Sequence, residues 1–470
     1  MALPNTSKSA AEIAVALSGK KKLWFIGIGG VHMATMAQFA AKKGFTVAGS
    51  DRAAGEGTAR LQAAGIPVYF GHDAARVVDF DAVVYTLAIS PQNPEYTAAV
   101  RLGLPVFSRA DFLAYLMRDY PNRIGVAGSH GKSTVTAMLA EIFTVAGRAP
   151  TVFCGAPLRD ISPCAAGGGR DVIFEACEYK DSFLRFSPTL SVILNVGLDH
   201  VDYFDSMDAI KRSFAAYAAL PGEAGAVLCN AEDENALACA AKSPARHHTF
   251  GIEKGEYRAE TVRHLEGRYA FSPVLPDGRR MDEIVLRVPG RHNVANAMAA
   301  LAVARLCGVR EAAIATGLAA FRGAGRRMEY RGMLHGARLF DDYAHHPAEI
   351  VATLSATRQM LEGKGRLFAV FQSHTYSRTA AFFTEICTAL RAADRVLVAP
   401  IYAARETETL GMSAAVLAAG VGERASAPGD LTAIAAVLDA ELSPGDLAVI
   451  MGAGDIDRIF GNFSGKHFTL

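Results

Sequence analysis

The clearest chemistry in this chain sits at Gly128-Ser129-His130-Gly131-Lys132-Ser133-Thr134, which follows a predicted strand over 123–127 and opens an amphipathic helix running to 145. Glycines let backbone N–H groups close around phosphate oxygens. The following helix adds the positive end of its dipole, Lys132 neutralises phosphate charge, and the Ser133 hydroxyl is a ligand for Mg²⁺. A nucleoside triphosphate site is implied. The full G-x-x-x-x-G-K-[ST] pattern is not met, because Val126 stands where its first glycine belongs. The alternative is a plain strand-to-helix turn.

Other reactive residues also stand at the ends of apolar runs. Glu175 closes a strand over 172–174, and Asp199-His200 follows one over 190–194. Carboxylates and imidazoles in those places can hold cations beside bound phosphates. Gly27-Ile28-Gly29-Gly30-Val31-His32 resembles a dinucleotide fingerprint with His in place of its third glycine, and Asp51 stands where a ribose-binding acid belongs. Taken alone, that motif supports an NAD-linked oxidoreductase. The alternative for His32 is a plain surface residue of the first helical turn. A dehydrogenase, however, has no use for a triphosphate loop.

Asn293 and Asn296 open a helix, where their amides pair with a base or cap the helix. Arg326-Arg327 offers two guanidiniums to a phosphate or to another domain. Asp341-Asp342-Tyr343-Ala344-His345-His346-Pro347 is a dense polar cluster at a strand end, and His374 and Arg378 follow another strand, with Arg378 suited to a carboxylate. The pair His247-His248 has no further ligand at metal spacing and reads as surface.

These residues need a scaffold of parallel strands with crossover helices. Strands are expected at 23–26, 46–48, 68–70 and 82–87, then at 123–127, 172–174, 190–194 and 226–228, and finally at 338–340, 367–371, 395–398 and 447–450. A hairpin is expected around Pro276-Asp277-Gly278, and linkers near 118–123 and 327–335 are the expected hinges. A chain of 470 residues holds two to four domains at about 100 to 200 residues each. The reading is α/β with three domains: residues 1–120 Rossmann-like, 121–328 a P-loop ATP-binding α/β domain, and 329–470 Rossmann-like.

Composition removes whole classes. Lys plus Arg number 48 against 47 Asp plus Glu, so there is no basic footprint for nucleic acid. No apolar run approaches the roughly 18 residues of a membrane span, and the basic residues 20–22 follow the apolar stretch 10–17 where a secretory signal would have them first. A cytoplasmic protein is expected. Seven cysteines form no C-x-x-C pair, which argues for reduced, mostly buried thiols.

In their order along the chain, these motifs resemble the Mur ligase family. The resemblance runs from Gly27 to Ile456 and includes Gly49-Ser50-Asp51, Asn93-Pro94-Glu95, the cluster at 341–347 and Gly452-Ala453-Gly454-Asp455-Ile456. It implies an N-terminal domain for a UDP-sugar, a central domain for ATP and a C-terminal domain for the incoming amino acid. The N-terminal fingerprint then becomes a UDP site, with Gly29, Gly30, Asp51, His72 and Thr86 near the diphosphate. Gly128, Ser129, His130, Gly131, Lys132, Ser133 and Thr134 would hold ATP phosphates. Ser133, Glu175 and His200 would bind Mg²⁺, Asn293 and Asn296 the adenine, Arg327 a phosphate and Asp342 the ribose. Tyr343, His345 and Arg378 would face the groups being joined, and Lys132, Glu175, His200, His345 and Arg378 form the catalytic set.

The implied reaction joins L-alanine to the lactyl carboxylate of UDP-N-acetylmuramate through an acyl phosphate, in peptidoglycan precursor synthesis. The implied enzyme is a monomer or weak homodimer. Ala215, where members that add later residues often carry a carbamylated lysine, fits the alanine-adding branch. His32, Ser129 and Thr86 depart from the family's usual residues. The alternatives are a tripeptide-recycling ligase of the same family, an NAD-dependent dehydrogenase, and a non-catalytic nucleotide switch.

Overall fold

The computed structural model describes residues 6–158, 169–200, 203–265, 267–361, 363, 365–404, 406–463 and 468–469. Two compact units divide the chain: Met1–Gly197 with Asp208–Phe250 and Ala299–Gly317, and Leu198–Met207 with Gly251–Met298 and Leu318–Leu470.

In the first unit, strands β1 (Lys22–Ile26), β2 (Thr46–Asp51), β3 (Val68–Phe70), β4 (Ala82–Tyr85) and β5 (Val106–Ser108) form a parallel sheet in the order β3-β2-β1-β4-β5. Its central strand is apolar on both faces, as helices on both sides require. The ring of Trp24 is fully buried there, 5.7 Å from Tyr69 and 5.0 Å from Phe80. The strand order reverses between β1 and β4, so the glycine loop after β1 opens where such sheets take ligands. The helix Val31–Lys42 buries Met33, Met36, Phe39 and Ala40 at helical spacing.

A second parallel sheet in this unit contains β6 (Asn122–Ala127), β7 (Thr151–Phe153), β8 (Asp171–Glu175), β9 (Leu190–Ile193), β10 (Ala226–Asn230) and β11 (Arg246–Phe250), in the order β11-β10-β9-β6-β8-β7. Because β6 lies between β8 and β9, with Val126 opposite both Glu175 and Val192, the loops leaving all three strands emerge at one edge. The sequence reading has neither β7, which is three residues long, nor β11, whose Arg-His-His-Thr-Phe is a polar edge strand. His247 is exposed there, as expected, whereas His248 is half-buried.

In the second unit, β12 (Arg258–Leu265), β13 (Arg268–Val274) and β14 (Ile284–Val285) form an antiparallel sheet. The tight turn joins Leu265 to Arg268, with Gly267 at φ 80°, while the expected turn at 276–278 leads on to β14. The last sheet holds β15 (Glu329–Leu334), β16 (Ala337–Asp342), β17 (Leu367–Phe371), β18 (Arg395–Val398), β19 (Ala425–Ser426), β20 (Leu447–Met451) and β21 (Phe468–Thr469), ordered β19-β18-β17-β20-β16-β15-β21. This sheet is mixed, because β15 runs antiparallel to both β16 and β21. Most of the expected hinge at 327–335 is therefore strand: the ladder with β16 pairs its backbone, which a linker would leave to water. Among the described residues, no helix is long and apolar enough to cross a membrane.

Candidate active site

The 128–131 loop is built from its neighbours' register. Strand β6 continues through Val126, which explains the missing first glycine: that position is paired in the sheet and the loop begins only at Gly128. Gly131 has φ 87° at the N-cap of the helix Lys132–Val145, a conformation that favours glycine. A Cβ at Gly128 would lie 2.9 Å from Leu194 Cβ. Asn195 clamps the loop, accepting from His130 N at 2.8 Å and donating to His130 O at 3.1 Å, while Gly197 N donates to Ser129 Oγ at 2.8 Å.

No side chain caps the helix Lys132–Val145. Its first amides are thus placed for an anion, and the loop fits a phosphate chain. Lys132 Nζ donates to Gly128 O, to Ser129 O at 3.3 Å and to Glu178 at 3.1 and 3.3 Å. Burial alone would lower the ammonium's pKa, but Glu178 and Cys177 outweigh it and hold Lys132 above its usual range.

Glu175 stands at the end of β8, where Oε1 accepts from Gly155 N at 2.6 Å and from Cys154 Sγ at 3.1 Å. The same thiol lies 3.7 Å from the backbone carbonyl of Ser133, whose side chain carries a hydroxyl as Glu175 carries a carboxylate. Both are hard oxygen donors that fit Mg²⁺. His32 corrects the surface reading. Its Nε2 is buried without a hydrogen-bond partner among the described residues, and its ring lies close to Gly155. Burial, then the charge of Arg109, push the imidazole down to about 4.

In the N-terminal loop, Gly29 N donates to Asp51 Oδ2 at 2.8 Å. Gly30 caps the helix Val31–Lys42. A Cβ at Gly27, whose φ is 76°, would lie 2.6 Å from Thr86 Cγ2. His72 Nδ1 lies 2.9 Å from Glu95 Oε2 and 3.1 Å from Ser50 Oγ. A carboxylate only accepts, so Nδ1 carries a proton.

His200, Asn293, Asn296, Arg327, Asp342, His345 and Arg378 belong to the second unit. Arg378 donates to Asp199 Oδ1 at 2.9 Å, and His200 Nε2 lies 4.0 Å from Asp199 Oδ2. Burial would raise the Asp199 carboxyl, but His200, Arg378 and His345 overcome it and hold the group below the usual carboxylate range. The rings of His345 and His374 are 6.1 Å apart.

The two arginines at 326 and 327 differ in fate. Arg326 donates to Gly452 O at 2.8 Å and Gly454 O at 3.1 Å and pairs with Asp341, so it pins a loop. Arg327 lies over the Tyr343 ring at 5.3 Å and 3.7 Å from Glu349. Asp342 accepts from Met328 N and Ala344 N, each at 2.8 Å, and burial pushes it up to about 6. Asn293 donates to Pro289 O at 2.6 Å and accepts from Asn296 at 3.0 Å.

His374 gives a stability test. Burial, then His345 and Arg378, push its imidazole down to about 4. Its contribution is full above the ordinary value of about 6.5 and is lost as pH falls from there towards 4, because the unfolded chain then binds the proton more tightly. His374→Gln should remove about 2 kcal/mol of the stability lost between pH 7 and pH 5. Urea unfolding at the two pH values measures it, and an unchanged difference would refute the assignment.

Two residues of the loop's surroundings escaped sequence reasoning. Asn195 and Glu178 both follow strands that flank β6, and that adjacency was the available signal.

The model of the Mur ligase family catalytic domain matches residues 22–121, that of the Mur ligase middle domain 126–304, and that of the Mur ligase glutamate ligase domain 326–454. The UDP-N-acetylmuramate–L-alanine ligase of Acetivibrio thermocellus is 38% identical over 93% of this chain and 94% of that protein. The enzyme of the same name from Lachnospira eligens is 41% identical over 93% of this chain and 96% of its own. The crystal structure of UDP-N-acetylmuramate-alanine ligase from Thermotoga maritima superposes with a TM-score of 0.80 at 28% identity, covering 94% of this chain and 98% of that one. The fold is the three-domain α/β fold of that structure, and the chain belongs to the Mur ligase family.

Proposed function

We propose that the chain joins L-alanine to the lactyl carboxylate of UDP-N-acetylmuramate, with ATP converted to ADP and phosphate. The observation that carries this reading is the clamped 128–131 loop with Lys132 at an uncapped helix start, in a chain about 40% identical to two alanine-adding ligases.

A carboxylate is a poor electrophile because its leaving group would be oxide. Attack of the lactyl carboxylate on the γ-phosphate forms an acyl phosphate and releases ADP. Attack by the amine of L-alanine then forms the amide and expels phosphate. Lys132 and the first amides of its helix stabilise the charge on the transferring oxygens. Mg²⁺, when bound, withdraws further charge from them, and Ser133 and Glu175 are the first unit's residues that would hold it. Gly29, Gly30, Asp51, His72 and Thr86 bind the UDP moiety, and residues 1–120, 121–328 and 329–470 are the sugar, nucleotide and amino-acid domains. The enzyme works in the cytoplasm, where the ATP that the reaction consumes is at hand.

His345 accepts the amine proton. Its Nδ1 lies 3.0 Å from Tyr343 O, a group that only accepts, so Nδ1 carries hydrogen and Nε2 is the base. Burial holds the imidazole below its ordinary range despite Glu349, so it is neutral at pH 7. The acid limb of kcat/KM is expected below about 6.5. His345→Gln should abolish that limb and cost about 100-fold in rate.

The test of function is phosphate release with ATP, Mg²⁺ and UDP-N-acetylmuramate, comparing no acceptor, L-alanine, glycine, L-serine and the L-Ala-γ-D-Glu-diamino-acid tripeptide. Release dependent on L-alanine is expected. Release with tripeptide alone would move the chain to peptide recycling, and none with any acceptor would refute the reading.

A further inference from the structure

Lys132 is held in the resting loop by acceptors that a nucleotide must replace. An ammonium has three N–H donors, and here they go to Gly128 O, Ser129 O and Glu178. Two of those acceptors belong to the loop that would cradle phosphate. The third is a carboxylate with no exposed surface, against 16% exposure for the lysine side chain.

The backbone that carries Glu178 is tied into a turn. Its carbonyl accepts from Asp181 N at 2.9 Å, Cys177 O accepts from Phe183 N at 3.0 Å, and Ser213 Oγ donates to the Asp181 carboxylate. Lys180 and Asp181, both with left-handed backbone at φ 54° and 53°, complete this turn. The lysine has the flexible stem, so any exchange of partners is made by Lys132. The other titratable groups facing its ammonium are Cys177 and Glu175.

We propose that Glu178 is a resident counter-anion of the phosphate loop. It parks Lys132 against the loop's carbonyls, and nucleotide phosphates bind by taking the ammonium from it. Glu178 acts through Lys132 and is a positioning residue. The inference rests on the ATP reading above and adds to it a price set on phosphate binding. The resting pair gives the half-buried ammonium a counter-charge in the absence of ligand. It also makes nucleotide affinity weaker than the loop's donors alone would give.

The experiment is titration of the wild-type protein and Glu178→Gln with ADP, without and with Mg²⁺, by calorimetry. Without metal the amide variant is expected to bind ADP about tenfold more tightly, the factor that about 1.4 kcal/mol supplies. A residue that only supports the loop would weaken binding when altered. Equal or weaker binding by a variant with wild-type circular dichroism therefore overturns the proposal, as does an effect confined to samples with Mg²⁺. If Glu178→Gln does not fold, Glu178→Asp, which retracts the carboxylate by one methylene, should tighten ADP binding about threefold, and no tightening overturns the proposal. Absence of ADP binding by the wild type would refute the nucleotide reading itself, separately from the role of Glu178.

Discussion

Replacing Lys132 by alanine is expected to lower phosphate release by about 1,000-fold, the scale of losing one preorganised charge at a transferring phosphoryl group. Affinity for UDP-N-acetylmuramate should stay within about twofold, a difference of some 0.4 kcal/mol, because the Gly29, Asp51 and His72 contacts are made inside the N-terminal sheet. Sugar-nucleotide binding by calorimetry and turnover by phosphate assay separate the two quantities. Loss of both would mean that the variant is misfolded or that the lysine has another role. The substitution also takes the ammonium's positive charge away from the buried Glu178 carboxylate. Lys132→Ala should therefore melt below the wild type, and adding Glu178→Gln should restore the melting temperature without restoring turnover.

The second large effect belongs to Arg378. Its pair with Asp199 is almost out of water, with side chains 11% and 7% exposed. Arg378→Ala is expected to cost about 3 kcal/mol, since one partner of a buried ion pair is left uncompensated. The sign with pH follows from Asp199. Its carboxyl is held below the usual range, so the pair stabilises the protein above about 4 and the contribution is lost as pH falls through the depressed native value. Removing the guanidinium raises that native value, so the loss should be larger at pH 7 than at pH 4. Denaturant unfolding at both values measures it, and a loss independent of pH would refute the pairing argument. Asp199→Asn combined with Arg378→Ala should recover stability while turnover stays low, because Arg378 is proposed to face the substrates.

The 128–131 loop was legible as a candidate for phosphate because glycine and lysine at fixed spacing after a strand have few other uses. Glu175 was legible for the same reason, as a carboxylate at a strand's end. What escaped depends on which strands become neighbours. Nothing in Asn195 or Glu178 announces a partner until β6 is seated between β8 and β9. The arginines at 326 and 327 are alike in sequence and diverge because Arg326 alone meets the carbonyls of Gly452 and Gly454. His32 read as a surface residue because its place in a first helical turn is visible, while the Gly155 backbone that faces it is over a hundred residues away. Short or polar edge strands such as β7, β11 and β21 lack the apolar run that marks a central strand.

The indole described in the N-terminal core is the chain's one tryptophan. Trp24 is 1% exposed, and its Nε1 meets no hydrogen-bond partner among the described residues. An indole so enclosed emits at short wavelength and shifts red when water reaches it. Intrinsic fluorescence excited at the red edge of indole absorption is therefore a gauge of the N-terminal sheet alone. A denaturation curve followed by this colour would record that sheet opening and stay blind to the C-terminal one, which must be watched by circular dichroism or by a dye.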